Sequence, residues 1–147
     1  MRLTTFTDYS LRVLIYVATR PEERATIGAI AQAFDISEHH LTKVVHFLGK
    51  AGLLANVRGR GGGLGLALPA SRINVGQVVR QTEVRDMPAE CFDPQSNACT
   101  ITAACRLKGV LDEAVKSFYA VLDKYTLEDL VRQRRPLEKV LFLAERS

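Results

Sequence analysis

The sequence has no hydrophobic run long enough to span a membrane, no secretory leader, no internal repeat and no low-complexity tract, and it holds only three cysteines. Each absence excludes something. Without a leader or a spanning segment, the chain is expected in the cytoplasm with no membrane partner, where thiols stay reduced. Cys91, Cys99 and Cys105 cannot form a closed disulfide framework, because an odd count always leaves one thiol over. Without repeats a solenoid is excluded. With 47% hydrophobic residues among 147, the chain has enough apolar material for one compact domain plus an oligomerisation arm. The cysteines therefore pose the question of a bound metal or a redox-reactive thiol.

Charge is unevenly divided. Residues 1–80 carry ten Lys and Arg against five Asp and Glu, whereas residues 81–147 carry ten against eleven. The basic excess lies wholly in the N-terminal part, and such an asymmetry points to a polyanion as the partner of that part.

The hydrophobic pattern predicts a mainly α fold with a small β-hairpin. Leu11, Leu14, Ile15 and Ala18 recur at helical spacing after Thr7, a predicted N-cap. Thr26 opens a short second helix through Ile27, Ile30, Ala31 and Phe34. Asp35, Ile36 and Ser37 then form a turn, and Ser37 caps a third helix ending at Gly52. In that third helix Leu41, Val44, Val45 and Leu48 face inward. Two short helices joined by a three-residue turn, the second polar outside, form a helix-turn-helix. Its second helix is expected in the major groove, with Glu38, His39, His40, Thr42 and Lys43 placed to reach base edges.

The segment after the third helix distinguishes this arrangement from an ordinary helical hairpin. Leu53 to Val57 reads as one strand and the alternation of Leu64, Leu66 and Leu68 as another, with RGRGGG between them. A glycine-rich hairpin bearing Arg58 and Arg60 just after a recognition helix is the wing of a winged helix-turn-helix. A nucleotide-binding loop is the weaker reading, since the pattern G-x-x-x-x-G-K-[ST] is missing. Residues 1–80 are thus expected to bind double-stranded DNA.

Asn74 is predicted to cap a short helix containing Val75, Val78 and Val79, a connector leading toward a cysteine-bearing loop within residues 81–106. From 102 to 125 an apolar stripe through Leu107, Leu111, Ala114, Val115, Phe118, Val121, Leu122 and Tyr125 is too long for a small domain to cover. A second copy of the chain is expected to cover it, giving a two-fold dimer on a palindromic operator. Residues 126–147 form a short C-terminal helix and tail. Thr126 with Asp129 makes a variant capping box, Arg132, Arg134 and Arg135 sit at a solvated helix end, and LEKVLFLAERS is weakly packed.

The cysteine spacing is C-x7-C-x5-C. Structural zinc favours close cysteine pairs completed by Cys or His, and all three histidines lie on the predicted recognition helix, so zinc is disfavoured. A catalytic cysteine is disfavoured too, with no histidine nearby in sequence. An iron-sulfur cluster suits three thiolates on a flexible loop, leaving one position for a different residue. That open position would make the cluster reactive.

MRLTTFTDYSLRVL at the start, VRGRGGG in the wing, ACRL at the last cysteine and YTLEDLV near the end together resemble the iron-sulfur winged helix-turn-helix regulators, above all their nitric-oxide-sensing repressors. The resemblance runs over nearly the whole chain. It implies a homodimer with one iron-sulfur cluster per subunit, 4Fe-4S in preference to 2Fe-2S. It implies Cys91, Cys99 and Cys105 as metal ligands, with the fourth ligand Asp8 of the partner subunit. It implies that nitric oxide breaks the cluster, frees the operator and derepresses nitric-oxide detoxification genes. It further implies pairing of Arg12 with Asp129 near the cluster, and Arg58 as the minor-groove arginine. A regulator of cluster supply with the same fold is the alternative, and an iron-sulfur electron carrier or enzyme is the alternative of a different class.

Overall fold

A computed structural model describes residues 2–83 and 87–143. Seven α-helices and one two-stranded antiparallel sheet run in the order α1 (Thr5–Thr19), α2 (Ile27–Phe34), α3 (Glu38–Lys50), β1 (Leu54–Val57), β2 (Gly63–Leu66), α4 (Val75–Thr82), α5 (Arg106–Leu122), α6 (Leu127–Leu130) and α7 (Arg134–Leu141) among these residues. Helix α1 is the centre of the packing, with α3, α4, β2, α6 and α7 against it. Its Val13, Leu14, Val17 and Ala18 are buried, which is more of the helix than a single apolar face.

The first cap is Thr4, not Thr7: the Thr7 N–H donates to Thr4 Oγ1 at 3.2 Å. The helix starts earlier because Phe6 is already inside it, edge-on to Phe47 with ring centroids 5.3 Å apart. Thr7 is fully buried and donates to Thr82 Oγ1 at 2.8 Å, joining α1 to α4.

The helix-turn-helix forms as its caps predict. Thr26 accepts from the Ala29 N–H, Asp35 ends α2 in the left-handed region, and Ser37 accepts from the His40 N–H. Leu41, Val44, Val45 and Leu48 are the buried residues of α3. Beyond the helix, Gly52 takes a positive φ of 75° while its N–H donates to Gly49 O and the Leu53 N–H to Leu48 O. These two bonds satisfy carbonyls that the helix end leaves open.

In the wing, Leu54 pairs with Leu66 and Val57 with Gly63. Leu64 is buried and Leu66 partly so, but Leu68 lies past the strand and is exposed, because the chain has already turned into Pro69 and a short 3-10 turn. Ala25 adds a bridge to Leu64 on the other side of β2, tying the wing to the start of α2.

Four expectations for the later chain are corrected. Helix α4 is part of the core, with Val75, Gly76, Val78 and Val79 buried, because its apolar side packs on α1. The long helix starts at Arg106 because residues 102–104 form a 3-10 turn and Cys105 is extended. It ends at Leu122, and Tyr125 instead accepts a hydrogen bond from the Val75 N–H beside an Asn74–Thr126 bridge. Arg134 and Arg135 begin α7 rather than end a helix. That helix seats Phe142 in the core, 4.9 Å from the Tyr16 ring and with the Arg20 guanidinium over its ring, so the tail is anchored there although Val140 stays exposed. The last four residues, 144–147, lie outside the described residues.

Candidate functional site

The first turns of α3 present Glu38, His39, His40, Thr42 and Lys43 to solvent. Ser37 holds the start of the helix, and Thr42 donates back to Glu38 O at 2.7 Å. The Thr42 hydroxyl proton is thereby used, leaving its methyl group and lone pairs to face outward. The His40 ring lies 6.1 Å from that of His39 and 6.5 Å from Tyr9 on α1. Arg58 and Arg60 stand exposed at the hairpin tip. Gly59 and Gly61 take positive φ there, and Gly62 has no room for a Cβ, which would overlap the carbonyl of Val57. The recognition helix and wing thus carry four of the chain's Lys and Arg residues, Lys43, Lys50, Arg58 and Arg60, all on backbone fixed by caps and turns.

The three cysteines are free and half-buried. Cys91 lies in a 3-10 turn and Cys105 is the residue before α5, with no side-chain cap bond of its own. Residues 93–102 of the loop are stitched together by their own side chains. Asp93 accepts from the Gln95 N–H and Ser96 Oγ. Asn97 Oδ1 accepts from the Cys99 N–H, and Thr102 donates to Cys99 O at 2.8 Å. The Ser96 hydroxyl, helped by the Gln95 N–H, holds the Asp93 carboxyl below its ordinary value. The composition Asp-Pro-Gln-Ser-Asn, rich in turn formers, carries the signal of this order.

Among the described residues no three His, Cys, Asp or Glu side chains converge as a metal-holding group. The chemistry of the donors nevertheless fits a cluster: three soft thiols, none in a disulfide and all partly open to approach. Cys105 also sits at a helix start, where the backbone favours negative charge.

Asp8 is on α1, its Oδ2 2.8 Å from Arg12 Nη2. Asp129 lies elsewhere, accepting from the Thr126 N–H and hydroxyl and paired with Arg132. Within one chain Arg12 and Asp129 therefore have different partners. Tyr9 is a residue that hydrophobic spacing did not single out. Its ring lies near both Arg12, 6.0 Å from the centroid, and His40 of the recognition helix.

Helix α5 has no fully buried residue, and Leu107, Val110 and Val121 are 61%, 60% and 52% exposed, so part of its apolar surface is left uncovered by its own chain. No helix among the described residues is long and apolar enough to cross a membrane.

Residues 3–133 match the Rrf2 family, described as iron-dependent transcriptional regulators. The HTH-type transcriptional regulator NsrR of Bacillus subtilis (strain 168) is 49% identical, the match covering 99% of this chain and all of that protein. Its namesake in Geobacillus kaustophilus (strain HTA426) is 47% identical over 96% of this chain and 97% of its own length. Among solved structures, the global cysteine regulator CymR of B. subtilis is similar with a TM-score of 0.69 and 32% identity, over 90% of this chain and 97% of that one. IscR of T. potens is similar with a TM-score of 0.74 and 26% identity, over 94% and 91%. With a winged helix-turn-helix at one end and a family match across most of its length, this chain belongs to the Rrf2 family of DNA-binding transcriptional regulators and is not an enzyme.

Proposed function

We propose that the chain is a repressor that binds palindromic operator DNA as a homodimer and senses nitric oxide through an iron-sulfur cluster. The observation that carries this reading is the position of the three free, half-buried cysteines, on the loop between a DNA-reading domain and a helix whose apolar surface its own chain leaves partly open. The resemblance to the nitric-oxide-sensing repressors supports the choice of signal, and the thiol donor set supports an iron-sulfur cluster over zinc.

Cys91, Cys99 and Cys105 would hold the cluster, 4Fe-4S in preference to 2Fe-2S, with Asp8 of the partner subunit as fourth ligand. When bound, the cluster supplies iron open to attack by nitric oxide. The rest belongs to the protein. Glu38, His39, His40, Thr42 and Lys43 read the major groove, Arg60 approaches the backbone and Arg58 enters the minor groove. The α5 helices of two copies cover each other and set the spacing of the recognition helices, which must match half-sites about 34–36 Å apart. A ligand set shared between subunits ties that spacing to the cysteine loop, and Arg12 and Asp129 lie beside the tie. A hundredfold loss of operator affinity corresponds to only about 2.7 kcal/mol, within the reach of a small misplacement.

Anaerobic absorption and native mass spectra of freshly purified protein test the reading. A coloured dimer with one cluster per subunit is expected, its mass reporting four irons or two. A colourless monomer would overturn it.

A further inference from the structure

Helix α5 carries Cys105 immediately before its first residue, yet its hold on the winged domain is peculiar. It packs on α4, but none of its residues is fully buried. Midway along, a cavity of about 460 Å³ is lined by Leu111, Val115 and Phe118 on one side and by Leu3 and by Glu83 at the end of α4 on the other. With the inner side chains of the helix only half-buried, apolar burial fixes its direction less firmly than full packing would.

The far end is held differently. Arg80 of α4 makes a two-pronged bond to Asp123, the residue after α5, with Nη1 to Oδ1 at 2.6 Å and Nη2 to Oδ2 at 2.7 Å. The same guanidinium lies 4.4 Å from the Tyr119 ring centroid. Asn74 caps α4 through Oδ1 and with Nδ2 donates to the Asp123 carbonyl at 2.8 Å. Gly76 lies under the fork, where a Cβ would overlap Asp123 Oδ1. This glycine has no positive φ, so the carboxylate is the reason for it. Two backbone bonds, Val75 N–H to Tyr125 O and Leu127 N–H to Ile73 O, close the joint. A parallel fork onto carboxylate fixes orientation as well as distance.

Helix α5 is thus a rod of 17 residues, about 25 Å long, with a cysteine of the proposed cluster at one end and a polar joint at the other. Helix α4, on the far side of the joint, packs on α1, the centre of the winged domain. We propose that the Arg80–Asp123 fork, seated on Gly76 and Asn74, is the pivot through which displacement of the Cys105 end of α5 reorients the winged domain. The proposal rests on the sensing function proposed above. In this proposal Arg80 and Asp123 act as positioning residues and not as contacts to DNA or the cluster. A lever held at one end by directional bonds converts a small shift at the other into a rotation, whereas a broadly buried helix would move with its domain.

The test uses full-length protein with and without its cluster, and a fluorescent duplex selected from a random-sequence pool by the wild-type protein. Arg80→Met keeps an apolar stem over Tyr119 but loses the fork, and Gly76→Ala disturbs the fork sterically without replacing either charged residue. In the wild type, removing the cluster is expected to weaken binding about a hundredfold, within the range of known couplings. In both variants the visible absorption of the cluster is expected to be unchanged while that ratio falls below about tenfold, and Arg80→Lys restores less than half of it on a logarithmic scale. Amide exchange in α4 provides a second readout. It should respond to cluster removal in the wild type and not in Arg80→Met. A wild-type ratio retained in folded, coloured Arg80→Met and Gly76→Ala proteins overturns the pivot alone. A wild-type protein whose binding ignores the cluster overturns the sensing function and the pivot with it.

Discussion

Asp8 and Arg12 face each other one turn apart on α1, with Arg12 Nη2 2.8 Å from Asp8 Oδ2 and Nε 3.2 Å from Oδ1, both side chains a little over 40% exposed. The pair keeps Asp8 oriented at the surface, as the proposed role toward a partner subunit requires. An exposed pair of this spacing contributes only about 0.3–0.5 kcal/mol to the fold. Asp8→Ala is therefore expected to leave the melting temperature within a few degrees of wild type. It should retain part of the cluster absorption and alter its response to nitric oxide. An unchanged response would reduce Asp8 to a residue favoured by the start of a helix.

Arg58→Ala is expected to weaken operator binding on the order of tenfold, about 1.4 kcal/mol. The loss should be larger on duplexes whose flanks are A·T-rich, where the minor groove is narrow. Equal weakening on A·T- and G·C-rich duplexes, with a shallower salt dependence, would mark a plain phosphate contact.

Gly62→Ala and Gly49→Ala should act in opposite ways. A Cβ on Gly62 would overlap the Val57 carbonyl, so the hairpin tip must rearrange. Operator affinity is expected to fall at least tenfold with little change in helical circular dichroism, since the hairpin tip lies outside the core. Gly49 is in α3 with nothing near its missing Cβ. There alanine is expected to raise stability by about 0.5–1 kcal/mol, read as an increased midpoint in urea.

The recognition helix was legible in the sequence because Ser37, the Leu41 to Leu48 spacing and Gly52 all mark local structure, and local marks survive folding. The Thr126–Asp129 box was legible for the same reason. Thr4 was missed because threonines occupy positions 4, 5 and 7, and only Phe6 packing on Phe47 decides which of them caps. The role of α4 was missed because a short amphipathic helix reads alike as connector or core, and its partner α1 is some sixty residues away. Gly76 has no local signature: its reason is a carboxylate 47 residues later. The count of the cysteines posed the question of a metal or a reactive thiol, and their spacing alone did not choose between them. The stitching of their loop by Asn97 and Thr102 depends on side-chain bonds that spacing does not encode.

The Asp129 box gives a pH prediction. Its carboxyl is held below the ordinary aspartate value, first by the Thr126 N–H, then by the Thr126 hydroxyl, with Arg132 adding to it. A depressed carboxyl contributes stability that is fully present above the unfolded value, about pH 4, and is lost as the pH falls through the lower folded value. Melting temperatures measured from about pH 6 to about pH 2.5 should fall at the acid end, and Asp129→Asn should flatten part of that fall. An identical acid limb in the variant would assign the loss to other carboxylates.

The central claim is that the thiol loop controls DNA binding, and an anaerobic nitric-oxide titration followed by operator anisotropy tests it most directly, with Cys99→Ala beside the wild type. The account predicts that wild-type protein is coloured, binds, and releases the duplex as its cluster absorption is lost. Cys99→Ala should be folded, colourless and weak in binding throughout. Wild-type binding that survives nitric oxide, or a Cys99→Ala protein that binds as tightly as the cluster-loaded wild type, would contradict it.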